Sequence, residues 1–409
     1  MLRRAARSHR RPPWTASGDV GRCDLALLRY PGEASSSSRG YRRRALALTR
    51  CDGTVESLAP AVVHDYRRLL GEGSDSLRPV ASGAIVRLES PGTASDIHLA
   101  LARKGLESDP SADPLQQTLH ASFSQMVPPR AWALGWQALL GELASVMREE
   151  GGRWLQDPKQ VATCFDKPAA REVIAHSGVP TPRQLGPISS FEDLRTRMRD
   201  AGVGRVFVKL RHGASATGCV AVASSRGRFR GVTTVALARE GGTWFPFNSL
   251  RLRRLDGEMA VARVVDLLSD HGMFAEAWVP KAVLGGRSVD LRVLVLDGAL
   301  AHAVVRLGAG PMTNLHLGNQ RAPVEALRDQ MALGVWERIE GSCRAVAQAF
   351  AKMQYVGVDV AVTSGLRGHR VLEVNAFGDE LNHVLHGGLA PHEAQVACLS
   401  GSLAPAEAA

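Results

Sequence analysis

No run in this 409-residue chain approaches 18 uninterrupted apolar residues, so no membrane-spanning helix is expected. Organised cysteine is missing too. The six Cys stand singly at 23, 51, 164, 219, 343 and 398, without a Cys-x-x-Cys pair. That excludes the closely spaced zinc and disulfide frameworks and points to a reducing, cytoplasmic setting. Lysine is scarce: six (Lys104, Lys159, Lys167, Lys209, Lys281, Lys352) against 44 Arg. Arg is a planar fork and Lys a compact point charge on a thin stem. A chain that uses Arg for generic charge therefore marks each of its lysines for inspection.

Acids are nearly absent from the first 50 positions, which carry twelve Arg against Asp19, Asp24 and Glu33. Almost the whole formal excess of +10 sits there, so the remaining chain is close to neutral and nucleic acid is not an expected partner. Residues 1–43 read as a disordered leader rich in Arg and Ser. Apolar residues are 45% and charged residues 22%, ordinary globular usage, and the length predicts two to four units around more than one core.

Strands are expected at 45–49 and 84–88 and helices at 97–104 and 131–148, making 44–155 a small α/β domain with no catalytic residue in view. Trp132, Trp136, Leu139, Leu140 and Leu143 recur at helical spacing and read as core. Further on, helices are expected at 166–176, Phe191–Asp200 and 257–271, with strands at Arg205–Leu210, 219–223 and 273–279 and a loop at 244–248. Apolar runs at 290–296 and 299–306 flank Asp297-Gly298, a favoured hairpin turn. A helix at 334–353 precedes a second hairpin. This alternation predicts α/β or α+β layers.

The second hairpin is the most informative segment. Centring its turn on Leu366 puts Asp359 directly opposite Glu373, with Cβ atoms about 4.5–5.5 Å apart. Asn375 faces the same way two residues on, opposite Gly357, which leaves room above the sheet. Like charges so placed need a cation, and Mg²⁺ takes one or two carboxylates together with nucleotide phosphates. Asp359, Glu373 and Asn375 are thus candidate metal ligands. A one-residue slip would turn Asp359 to the other face.

Lys209 ends an apolar strand and is followed by a Gly/Ser/Thr turn containing Gly213 and Gly218, a means of bringing backbone N–H groups to phosphate. The spacing is neither a Walker A loop nor a Rossmann fingerprint, and an ordinary hairpin turn explains it equally well. Lys167 is a second candidate, in the first turn of a helix whose positive dipole end also favours anions.

These pieces, in this order, resemble the ATP-grasp superfamily, and most closely its RimK-type peptide and amino-acid ligases. The matching residues are Phe165-Asp166-Lys167, Val208-Lys209 with the loop to Gly218, Glu276-Ala277-Trp278-Val279, Asp290-Leu291-Arg292, Arg306, the stretch 312–318, Gly357-Val358-Asp359 and Glu373-Val374-Asn375. They span 165–376, slightly over half the chain.

The resemblance implies an ATP-grasp fold, α/β of the α+β kind. Nucleotide is held between two α+β subdomains, 156–276 and 277–400, preceded by the α/β domain 44–155. It implies ATP and Mg²⁺ as cofactors, with Mn²⁺ able to substitute. Lys167 and Lys209 would touch the phosphates, and the loop of Gly213, Ser215 and Gly218 would close over them. Glu276, Ala277, Trp278 and Val279 would hold the adenine, largely by backbone, and Asp290 would approach the ribose. Met312, Thr313 and Asn314 would contact nucleotide, while Arg292 and Arg306 would neutralise the transferring phosphoryl group. The implied activity converts a carboxylate to an acyl phosphate that an amine attacks, with amino-acid or peptide substrates. A small-molecule kinase and a non-catalytic nucleotide-binding protein are the alternatives. The chain departs from the pattern at Trp278, in a longer span from Ala277 to Asp290, and in an added element at 244–254, which leaves the acceptor open.

Overall fold

A computed structural model describes residues 25–29, 48–49, 55–56, 62–92, 94–112, 126–240, 242–377, 381 and 384–399. Three main sheets organise them. The first is parallel, in the order Val62–Asp65, Leu25–Arg29, Ile85–Leu88, Arg153–Trp154. Its second strand falls inside the stretch read as leader, so the N-terminal sheet begins before residue 44. The rest of that leader reading lies outside the described residues.

Helices Ser95–Ser108 and Pro129–Glu149 cover this sheet, and their backbones touch. A Cβ at Gly105 would fall 1.9 Å from the Ala131 carbonyl oxygen, and one at Gly135 would fall 1.8 Å from that of Leu101. Only glycine permits so close a crossing. Trp132 and Trp136 face the core as their spacing predicts, and both contact Phe165 (5.5 and 5.9 Å between ring centroids). Phe165 in turn meets Phe377 at 5.7 Å.

The second sheet is antiparallel, in the order Thr243–Asp256, Arg228–Glu240, Val220–Ser225, Arg205–Leu210, Met273–Ala277, Gln184–Ile188. Helices Phe191–Asp200 and Glu258–Ser269 pack on it through Leu194, Met198, Val261, Val264 and Leu268. The loop expected at 244–248 is instead part of its edge strand, where Pro246 costs no ladder bond between neighbours.

The third sheet is also antiparallel: Gln320–Ala322, Ala299–Gly308, Arg287–Leu296, Tyr355–Val362, His369–Asn375. Its expected hairpin turn has Asp297 and Gly298 both at positive φ, 51° and 75°. Helix Val335–Ala349 covers one face through Ile339, Cys343 and Val346. Val161, Cys164, Ala170 and Ile174 share that core. Helices Pro158–Phe165 and Lys167–His176 therefore pack with the third sheet, whereas a boundary at 156 would group them with the second. Among the described residues no helix is long and apolar enough to cross a membrane.

Candidate active site

Lys167 is the first residue of its helix, whose N-cap Asp166 accepts from the Ala169 N–H. Asp166 also binds Arg211 through both carboxylate oxygens, at 3.0 and 2.6 Å. The Lys167 N–H donates to the Arg211 carbonyl at 3.1 Å. This clamp ties the helix start to the strand that carries Lys209.

Lys209 lies diagonally across from Glu276 on neighbouring strands and donates to its Oε1 at 2.5 Å. Arg171 takes Oε2 at 2.7 Å. Burial opposes charge on Glu276 and on Lys209, but the opposite charges outweigh it. Glu276 is held below the usual carboxylate range and Lys209 above the usual lysine range.

The third sheet supplies the acids. Asp359 pairs with Glu373, and Gly357 with Asn375, as expected, although nearer the turn the ladder is shifted by one residue (Val360 with Val371, Val362 with His369) from a turn centred on Leu366. Arg292 grips Asp359 with two bonds, 2.5 and 3.1 Å, and Arg306 reaches the same carboxylate at 3.3 Å. Glu373 accepts from Lys167. Burial pushes the Glu373 pKa up, yet Lys167 and Lys209 more than compensate and it lies below its ordinary value. Above Gly357 a Cβ would fit, meeting Asn375 at 3.5 Å and Arg292 at 3.6 Å, ordinary contact distances. The Asn375 amide nitrogen is 3.5 Å from the Gly357 carbonyl, and Asn375 sits beside the cleft instead of lining it.

Asp290 is only 2% exposed and fully engaged. Oδ1 accepts from Arg306 at 2.7 Å, while Oδ2 accepts from Lys281 at 2.8 Å and from the Thr313 hydroxyl. Burial works against both charges, but Arg306 and Lys281 hold the Asp290 carboxyl well below its ordinary range, and the two aspartates push Arg306 up. Asp290 thus supports Arg306, Lys281 and Thr313 while also lining the cleft.

These groups border a cleft of about 760 Å³, counting its open mouth. Lys167, Lys209, Glu276, Asp290, Arg306, Asp359 and Glu373 line it, together with Ala277, Val279, Met312, Thr313 and Asn314. Trp278 does not: its ring turns onto Phe207 (5.2 Å) and its backbone N–H donates to the Arg205 carbonyl at 3.0 Å. In the loop after Lys209, Ala216, Thr217 and Cys219 line the cleft while Gly213 and Ser215 do not. Ser215, Ala216 and Gly218 all have positive φ, 51°, 58° and 65°. At Gly218 a Cβ would also strike Leu210 Cδ1 at 2.2 Å. Thr234 fixes the bend by donating to the Ala216 carbonyl at 2.6 Å.

Two residues of the site had no role assigned from the sequence. Lys281 lines the cleft and binds Asp290 and Thr313 Oγ1 (3.0 Å); its signal was the scarcity of lysine, since three of the six lysines meet here. Arg171 had no signal, being one Arg among 44. The lining carries Lys167, Lys209, Lys281 and Arg306 against Glu276, Asp290, Asp359 and Glu373, an even balance, and Arg171 and Arg292 add two cations behind it. Among the described residues no three His, Cys, Asp or Glu side chains converge into a metal cage. Two carboxylates beside an amide fit a hard cation that draws its remaining ligands from phosphate and water.

No known family profile and no curated protein matches the sequence. Solved structures do match. The D-cycloserine synthetase DcsG aligns with a TM-score of 0.54 at 14% identity, over 91% of this chain and 98% of its own. The macrocyclase MdnC bound with precursor peptide MdnA, from Microcystis aeruginosa MRC, gives 0.52 at 14% identity, over 92% and 100%. The ATP-grasp ligase PsnB, complexed with a minimal precursor, Mg and ADP, gives 0.50 at 17% identity, over 94% and 99%. The chain has the ATP-grasp fold. In an ATP-grasp frame the cleft lies between the second and third sheets, with Lys209 and Glu276 on one and Arg306, Asp359 and Glu373 on the other; Arg292 pairs with Asp359 without lining the cleft.

Proposed function

We propose that this chain is an ATP-dependent ligase of the RimK type, activating a carboxylate as an acyl phosphate for attack by an amine. The observation that carries the reading is the meeting in one cleft of Lys167 and Lys209 with Asp359 and Glu373, backed by Arg292 and Arg306. Four cations converging on a partly enclosed cleft suit a polyphosphate, because a unit-charge pair at 4 Å is worth about 4 kcal/mol at an effective dielectric of 20.

Asp359, Glu373 and Asn375 would hold Mg²⁺, or Mn²⁺ in its place, and the bound ion supplies charge neutralisation for phosphoryl transfer. Lys167 and Arg292 pair with those acids and would pass to phosphate oxygens when nucleotide binds. Arg306, pinned by Asp290, keeps one orientation and so stabilises transferring charge without reorganising. Ala277, Val279 and Met312 offer apolar walls for the adenine, with Thr313 and Asn314 beside them. Lys209 would meet the phosphates, and the loop of Gly213, Ser215 and Gly218 would cover them. The substrates are a carboxylate and an amine of amino-acid or peptide type, in keeping with the precursor peptide bound by MdnC.

The test is ADP release from MgATP with pooled amino acids, peptides and amines. The expected result is release that depends on the amine, with an amide product in the mass spectrum. Hydroxylamine in place of the amine should trap the acyl phosphate as a hydroxamate. A phosphorylated hydroxyl product without hydroxamate would make the protein a kinase and overturn the reading.

A further inference from the structure

We infer that Arg171 is a positioning residue that sets both sides of the proposed active site at once, and the inference rests on that proposed reading. Arg171 lies in the first half of helix Lys167–His176, with its side chain 9% exposed. One terminal nitrogen donates to the Val371 carbonyl at 2.9 Å. The other donates to the Leu372 carbonyl at 2.6 Å and to Glu276 Oε2 at 2.7 Å. One guanidinium thus bridges the second and third sheets.

Leu372 is the extra residue of a β-bulge. Asp359 pairs with Glu373 and Val360 with Val371, which leaves Leu372 without a partner across the ladder. The consequence is a change of face. Val358, Val360, Val371 and Val374 all point into the core beneath the third sheet. Strict alternation from Val371 would send Glu373 into that core as well. The bulge absorbs one residue, so Glu373 emerges into the cleft beside Asp359 while Val374 returns to the core. The carbonyls at this irregularity are the ones Arg171 takes, and its remaining bond holds Glu276 against Lys209. Arg supplies several donors in one rigid plane, and Lys cannot satisfy three acceptors spread across two sheets in this way.

The test uses the full chain and Mn²⁺, with free ion counted by its EPR signal in the presence of a nonhydrolysable ATP analogue. Arg171→Met and Arg171→Lys are compared with wild type and with Arg344→Met, which removes an exposed Arg paired to Glu340. Both Arg171 variants are expected to weaken Mn²⁺ binding about 10–100-fold, the usual effect of losing a residue that orients a metal ligand. Arg344→Met should bind as wild type does. Guanidinium ion at millimolar concentration should restore part of the affinity to Arg171→Ala, a rescue that general loss of packing would not permit. Should Arg171→Met fail to fold, Arg171→Lys carries the comparison. Wild-type affinity in a folded Arg171→Lys overturns the inference alone. Absence of Mn²⁺–nucleotide binding by the wild type overturns the proposed function and this inference with it.

Discussion

Asp359 stands directly opposite Glu373 across the final hairpin, and two separate cations hold the pair: Arg292 on Asp359, Lys167 on Glu373. Two like charges at this spacing repel, and neither cation comes from the hairpin itself. The acids are thus held together by elements more than 60 residues away in the chain, Arg292 on the neighbouring strand and Lys167 on a helix beside it.

Glu373→Ala is expected to abolish Mg-dependent ATP turnover while circular dichroism and melting report a folded protein. Asn375→Ala, beside the cleft, should weaken metal binding without removing a charge. Normal turnover in both variants would take them out of the ligand set.

Lys209→Arg keeps the charge and should still fail. The ammonium sits 2.5 Å from Glu276, whose other oxygen is filled by Arg171, so a planar fork has to displace one or the other. Misplacing a phosphate-binding charge by about 1 Å costs on the order of 10²-fold, and kcat/KM for ATP should fall by about that factor.

Asp290→Asn should act on stability as well as rate. It leaves Arg306 and Lys281 buried beside a neutral amide. Breaking a buried ion pair from one side costs about 3–5 kcal/mol, which a denaturant titration would register. An unchanged unfolding midpoint would show that the two cations find other partners.

Gly135→Ala should destabilise the N-terminal domain by about 1–3 kcal/mol, because its methyl group meets the Leu101 carbonyl. Nucleotide affinity of the folded fraction should stay as in wild type. The readouts are thermal melting and nucleotide titration.

Burial, with Arg370 and Arg338 nearby, pushes the His369 pKa down to about 4, and its Nε2 lies 2.8 Å from the Ser342 hydroxyl. The folded protein therefore binds fewer protons than the unfolded chain between the ordinary histidine value, about 6.5, and 4. Stability should fall as pH drops through that window. His369→Gln should flatten the slope there, measured by urea midpoints across the range.

Much of the site was legible because strand geometry is local. A period of two and a turn centred on Leu366 gave the pairs Asp359–Glu373 and Gly357–Asn375, but the ladder nearer the turn runs one residue off that centre and the bulge at Leu372 restores those pairs. Lysine scarcity flagged Lys281 without giving it a role. The bulge at Leu372 left no trace, since Arg370-Val371-Leu372-Glu373 reads as an ordinary strand, and the face each residue takes depends on a carbonyl bonded by Arg171, two hundred positions away. The edge strand at 243–256 was hidden by Pro246, which argues for a loop unless the sheet is known to end there.

By itself the sequence determined which charges and strand periods were available: six lysines, an acid hairpin and alternating apolar runs, all expressed over a few neighbouring residues. Tertiary structure alone decided how those charges are spent. It saturated Asp290 with Arg306, Lys281 and Thr313, turned Trp278 onto Phe207, and flipped Glu373 into the cleft by a bulge. Each outcome depends on pairing across large sequence separations, where burial makes an unpaired charge costly enough to dictate the partner.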